Sequence, residues 1–335
     1  MSFVTFGELM LRLTPALHAE KLQTTKGFDV NFAGSESNVA SALAVLNNQV
    51  SFVTKLPDHA IGDNAIQSLK KYGINTNAIL RGPGRIGTYF IEIGASIRPS
   101  SVIYDRKHAV FSEIGSNEFD WATIFKGKKY LFVSGITAAL SNQCAQELVK
   151  CVQEAKKQGI VVAFDMNYRR KLWAKASDAQ IVFDEVLSMT DILFGNTGAL
   201  NDVHGIQPKA KDSLQATLEV IEIAKQKFGI ENYAFTIRDH ISASTNELQA
   251  VFSSPVGEVI SNKYTVGILD RFGTGDAFAA GCLHGLGKGW DAQQVIEFGT
   301  AAFALKHTIY GDQHTSTEAE IQSIVNGQTS GHVLR

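Results

Sequence analysis

Cysteine, proline and tryptophan are all scarce: three, six and three residues in a chain of 335. Three cysteines make no disulfide framework, and their spacing fits neither a metal site nor a redox pair. Cys144 and Cys151 fall on one helical stripe with Leu148 and Ala155, which points to core packing. The few prolines leave no Pro-rich linker, and there is no low-complexity tract or internal repeat. Charge of one sign is also missing. A net charge of −2 gives no basic field for nucleic acid, so a small-molecule partner is expected. No apolar run approaches the roughly 20 residues that span a bilayer, so no membrane partner is expected. The stretch Met1 to Glu8 lacks the basic start of a signal peptide and reaches an acidic residue early, so a soluble, cytoplasmic protein is expected. The nine histidines form no H-x-x-x-H or H-E-x-x-H grouping, and His59, His108 and His204 sit in polar, loop-like contexts, so a zinc site is not expected. A Walker-type G-x-x-x-x-G-K-[ST] loop is absent as well.

With 44% hydrophobic residues, the chain can bury a full core. Short β-branched or aromatic runs (Val50 to Lys55, Tyr130 to Ser134, Ile160 to Asp165, Asp191 to Phe194, Tyr233 to Ile237) alternate with amphipathic helical patterns. That rhythm predicts an α/β fold, a doubly wound, mostly parallel sheet flanked by helices. Two stretches break it. Residues near 9–33 and 86–106 alternate as strands, with no helix between them, and predict a small separate sheet of about four strands. Residues 1–335 are therefore read as a single domain with a β-sheet lid inserted from about 9–33 and 86–113. An edge extension or a dimerisation sheet is the alternative, and neither excludes a lid.

The most informative stretch is Asp270-Arg271-Phe272-Gly273-Thr274-Gly275-Asp276-Ala277-Phe278-Ala279-Ala280-Gly281. It opens a helix that is small or apolar on nearly every side, hence buried, with its N-terminus facing a cavity or a partner. Gly273 and Gly275 let the backbone turn and approach a ligand, and their N–H groups with the helix dipole suit negative charge. A carboxylate at Asp276 does not fit a site that only holds anions. It fits a general base taking a hydroxyl proton while the N–H groups stabilise a transferring phosphoryl group. The bland alternative is a helix-capping aspartate.

Asp270 to Ala280 resembles the C-terminal signature of the ribokinase (PfkB) family, D-T-x-G-A-G-D, and Asn31 to Ala40 resembles its N-terminal Gly-Gly and Asn-Val-Ala segment. The resemblance covers essentially the whole chain and implies a ribokinase-like fold. Within the family, Arg271 in the signature, Asp165 to Trp173 and Tyr104-Asp105-Arg106 resemble the 2-keto-3-deoxygluconate kinase branch. That branch implies ATP-dependent phosphorylation of 2-keto-3-deoxygluconate at its terminal hydroxyl, giving the 6-phosphate, with Mg2+ on the nucleotide. A monovalent cation is left open. The alternatives are a neutral-sugar kinase of the fructokinase or ribokinase type and a catalytically impaired sugar- and nucleotide-binding protein. The resemblance places the sugar against Gly34, Asn38, Tyr89, Tyr104, Arg106, Asn167, Arg169 and Asp312. It places ATP against Asn196, Thr236, Arg238, Gly273, Thr274 and Gly275, and assigns no metal ligand.

Part of this follows from chemistry alone. Tyr104 and Arg106 are two apart on a predicted strand and share a face. Arg169 follows a strand at its carboxyl end, where open α/β sheets bind ligands. Two arginines converging on one cleft suit a carboxylate better than a neutral sugar. Each taken singly is equally read as a solvated charge or a structural ion pair, and Asp312 as a turn residue. Lys306 and His307 are weaker nucleotide candidates, because the helix dipole already explains a basic last turn. One departure stands out: Asn196-Thr197-Gly198-Ala199 has Ala where the family's N-x-x-E has Glu, which puts the usual magnesium dependence in doubt. Ala33 and Thr274 are milder changes. A homo-oligomer formed through the lid sheet is expected.

Overall fold

The computed structural model describes residues 1–329. Its strands are β1 (Ser2–Phe6), β2 (Met10–Pro15), β3 (Phe28–Ala33), β4 (Gln49–Pro57), β5 (Ile79–Gly82), β6 (Thr88–Glu92), β7 (Ser101–Asp105), β8 (Tyr130–Ser134), β9 (Val161–Asp165), β10 (Ile192–Gly195), β11 (Asn232–His240), β12 (Thr245–Ser254), β13 (Gly257–Ile260) and β14 (Tyr264–Gly267). Ten of them build one sheet in the order β13-β12-β11-β10-β9-β8-β1-β4-β5, with β14 also on β12. From β11 to β5 every pairing is parallel, and the β12 pairings are antiparallel. Strand order reverses at β1, which lies between β8 and β4, so connections diverge there and leave a crevice beyond the carboxyl ends of the strands.

Alternation along the strands divides the core. Leu131 and Val133 pack on one face with Phe164, Phe183 and the stripe Cys144, Leu148, Cys151 and Ala155 of helix Asn142–Lys157. Phe132 turns to the other face, against Phe52, Phe194 and Phe278. Phe278 is 2% exposed, and truncating such a side chain costs about 3–5 kcal/mol. It belongs to helix Thr274–Lys288, which is buried along almost its whole length.

The remaining four strands form the separate small sheet, in the order β3-β2-β6-β7, as the two helix-free stretches predicted. β7 ends at Asp105, so Arg106 lies one residue beyond the strand expected to carry it. Its guanidinium still sits 5.6 Å from the Tyr104 ring centre, so the two remain neighbours. His204 departs from its expected loop context. It ends helix Thr197–His204 with its side chain buried against Phe228, and burial pushes its pKa down to about 4. Among the described residues no helix is long and apolar enough to cross a membrane.

Candidate active site

Helix Thr274–Lys288 starts at Gly273, whose φ of 72° lies in the left-handed region, and no side chain caps it. A Cβ at Gly273 would stand 1.8 Å from the carbonyl oxygen of Asp312, so both conformation and space call for glycine. The first amide groups of the helix thus remain available at a cavity edge. Asp276 does not cap this helix, contrary to the bland alternative. It lies in the first turn, and its carboxylate turns toward helix Ser35–Val45. Ser35 Oγ donates to its Oδ1 at 2.7 Å and Asn38 Nδ2 to its Oδ2 at 2.7 Å, while Asn167 Nδ2 donates to Ser35 Oγ at 2.9 Å. Burial pushes the Asp276 carboxyl up to about 7; the Asn38 and Ser35 bonds pull it down, and nearby Asp165 and Asp312 push it up. A carboxylate so poised is half-ionised near neutrality, as a general base requires. Asn167 holds an unusual φ of 33°, a conformation that costs on the order of 1–3 kcal/mol and clusters at functional sites.

Two cavities meet at Asp276. The larger, about 720 Å³, is bounded by Asn196, Thr236, Arg238, Thr274 and Gly275, and also by Lys211 and Arg271. The smaller, about 100 Å³, lies beneath the small sheet and is bounded by Gly34, Asn38, Tyr89, Tyr104, Arg106 and Asp312. Asn167, Arg169, Gly273 and Asp276 border both. The structure therefore gathers the sequence candidates for sugar around one space and those for nucleotide around the other. On the nucleotide side, Arg238 Nη2 donates to Thr274 Oγ1 at 2.9 Å, and burial lowers its pKa to about 10, with Arg271 adding to the shift. Asn196 caps helix Thr197–His204 by accepting from Ala199 N at 3.0 Å. A Cβ at Gly275 would meet nothing in the protein, so its side stays open to the cavity.

Three candidates have partners that the sequence did not suggest. Gly34 borders the smaller cavity as expected of a sugar-side residue, but the nearest obstacle to a Cβ there is the Glu8 carbonyl, 2.0 Å away. Arg106 faces the smaller cavity and is also ion-paired, with Nε donating to Glu8 Oε2 at 2.9 Å and Nη2 to the same oxygen. Its Nη1 is buried without a partner. Asp312 is no simple turn residue, because its Oδ2 accepts from Arg12 Nη1 at 2.5 Å and Tyr89 Oη at 3.0 Å. Arg12 Nη2 also donates to Asp270 Oδ2 at 2.6 Å, joining the small sheet to the turn before Gly273.

Sequence reasoning missed Glu8, Arg12 and Ser35. Arg12 left a signal: Met10, Arg12 and Thr14 are the buried side of β2, and a charge on an inward row needs a buried counter-charge. Lys306, set aside on dipole grounds, is fully buried. Among the described residues no group of three or more His, Cys, Asp or Glu side chains is placed to hold a metal ion.

A parallel sheet with a crevice at its strand-order reversal, two adjoining cavities and a buried carboxylate at an uncapped helix start fit an enzyme that moves a group between two small molecules. The chain belongs to the pfkB family of carbohydrate kinases, whose family model matches residues 2–319. It is 31% identical over 328 residues to a 2-dehydro-3-deoxygalactonokinase of Haloferax volcanii, covering 98% of each chain. It is 28% identical over 307 residues to a 5-dehydro-2-deoxygluconokinase of Clostridium perfringens, covering 90% of this chain and 86% of the relative. Among solved structures, the 2-dehydro-3-deoxygluconokinase of Thermotoga maritima superposes with a TM-score of 0.95 at 38% identity, over 98% of each chain. A PfkB family carbohydrate kinase from Listeria grayi gives 0.91 at 33% identity, over 97% of this chain and 100% of that one.

Proposed function

We propose that this kinase transfers the γ-phosphoryl group of ATP to the terminal hydroxyl of 2-keto-3-deoxygluconate (2-dehydro-3-deoxygluconate), giving the 6-phosphate. The observation that carries the choice of an acid is that Arg106 and Arg169 border the same cavity as Asp276, with Arg106 Nη1 buried and unpaired. An unsatisfied guanidinium N–H at a ligand cavity is a natural donor to a carboxylate oxygen. The substrates named for the Haloferax, Clostridium and Thermotoga relatives are six-carbon sugar acids, which supports the same class.

In this reading the sugar lies under the small sheet with its acid end at the arginines and its terminal hydroxyl at Asp276. Asp276 takes the hydroxyl proton, held for that task by Ser35 and Asn38. The amides that open helix Thr274–Lys288, with Arg238 behind Thr274, receive charge on the transferring group. Magnesium would arrive with the nucleotide and neutralise its phosphates, although Ala199 leaves no glutamate there to help hold it. The small sheet acts as the lid that excludes water as a competing acceptor. Its outer face is also the self-association surface. Val30, Leu13, Phe90 and Ile103 stand opposite one another across all four strands, with Val30 54% and Ile103 56% exposed.

A neutral-sugar kinase is the second reading, favoured by the Glu8 carboxylate that already pairs Arg106. Assaying ADP release with 2-keto-3-deoxygluconate, its galactonate epimer, 5-dehydro-2-deoxygluconate, fructose and ribose separates the two. Acid preference supports the first, and a kcat/KM for fructose or ribose equal to the best acid refutes it.

A further inference from the structure

Lys306 ends helix Ala292–Lys306, is fully buried, and has no task in the chemistry above. Its Nζ donates to the Ile309 carbonyl at 2.8 Å, and among the described residues no carboxylate is in salt-bridge contact with it. A buried ammonium with one hydrogen bond is unfavourable unless the surrounding field compensates. The surroundings are acidic. Burial pushes the Lys306 pKa down, Asp270 and Asp312 oppose that shift, Arg12 adds to it, and Asp276 opposes it. Counting charges explains the arrangement: Asp270 and Asp312 share the single guanidinium of Arg12, which leaves that pair one positive charge short.

The segment that Lys306 begins is also the floor of the phosphate-facing turn. The His307 carbonyl accepts from Leu269 N at 2.8 Å and from Asp270 N at 3.2 Å, and Gly311 N donates to Asp270 Oδ2 at 3.0 Å. The Asp312 carbonyl then fits against Gly273, where any Cβ would collide with it. Residues 306–312 and 269–273 are thus laced together, and the ammonium closes onto Ile309 between the two anchor points.

We propose that Lys306 is a tethered monovalent cation, a positioning residue that balances Asp270 and Asp312 behind Gly273–Asp276 and makes turnover independent of added monovalent ions. An ammonium is a compact point charge, and of common solutes only a small monovalent cation could take its place. Without the tether, a loop lined by carbonyls and carboxylates would have to recruit such an ion from solution. The inference rests on the reading of that turn as the phosphate site.

The experiment has two arms. Wild-type kcat is measured with tetramethylammonium as the sole monovalent cation and again with potassium; equal values are expected, and marked activation by potassium overturns the proposal whether or not any variant folds. In the second arm, Lys306→Met should lower kcat by on the order of 10²-fold, the low end for losing one preorganised electrostatic group. Potassium or ammonium should restore much of that loss, with the sugar KM nearly unchanged. A folded variant with wild-type kcat, or one that no cation restores, overturns the proposal. Asp276→Asn serves as the control, since no cation should restore it. If Asp276→Asn keeps its turnover the base assignment fails, and the Lys306 arms still give their own answer.

Discussion

Removing the Ser35 hydroxyl should move the pH profile of this kinase while leaving its chemistry in place. The Asp276 carboxyl sits at about 7 because burial raises it and two side-chain bonds hold it down. One of these is the 2.7 Å bond from Ser35 Oγ. A hydrogen bond to a charged group is worth about 1.5–3 kcal/mol, and 1.36 kcal/mol is one pKa unit, so Ser35→Ala should raise this pKa by about 1–2 units. The sign follows from which form works. The base acts ionised, so wild-type kcat/KM should climb with pH through a midpoint at about 7 and then level off. In Ser35→Ala the midpoint of the climb should shift to about pH 8–9, so the variant loses roughly 5- to 50-fold at neutrality and recovers most of it in alkali. A water that takes the place of the hydroxyl would bring the shift toward the lower figure. The assay is ADP release at saturating ATP and limiting sugar acid across the pH range. An unmoved limb, or a uniform loss at every pH, refutes the idea that Ser35 tunes Asp276.

Asp276→Asn should lower kcat by at least ~10²-fold with ATP binding nearly intact, read by single-turnover assay and nucleotide titration. Arg106→Ala should cost roughly 10- to 150-fold in kcat/KM for the acid and much less for neutral sugars, with lysine rescuing only in part; an equal loss for both would make the arginine a fold-supporting residue. Hydrogen exchange across residues 86–106 should slow when the sugar acid is added, and unchanged exchange at saturation counts against a lid. Ile103→Asp places a charge in the apolar row of the small sheet, so sedimentation should show a smaller species than wild type if that face joins two copies.

The architecture was legible because it rests on local patterns. β-Branched runs bounded by helical stripes define parallel strands, and the alternation of Phe28, Val30 and Phe32 marks a strand, although it does not say which side is covered: Phe28 and Val30 are exposed and only Phe32 is buried. Asp276 was legible because its two glycines lie beside it in sequence. Its supports were not: Ser35 reaches it across 241 residues and Arg12 reaches Asp270 across 258, and a pattern within one segment carries no information about such partners. Lys306 was misjudged for a related reason. A basic residue in a last turn is explained by the helix dipole only if it is solvated, and exposure is set by the loop that folds over it.

The double life of Arg106 resolves when charges are counted locally, at the arginine end of the smaller cavity. Glu8 and Arg106 are both buried and cancel, so the pair by itself offers no net attraction to an acid. Arg169 borders the same cavity and is in no salt bridge among the described residues, so positive charge is uncompensated locally at that end, while Glu36, Asp276 and Asp312 line the rest of the cavity. In the proposed reading a sugar acid would bring the counter-charge that Arg169 lacks. Glu8 then has a role beyond packing. It fixes the guanidinium through Nε and Nη2 and leaves Nη1 unsatisfied, so orientation is set before the ligand arrives. A neutral sugar would leave the Arg169 charge without a counter-charge and gain nothing from that preorganisation.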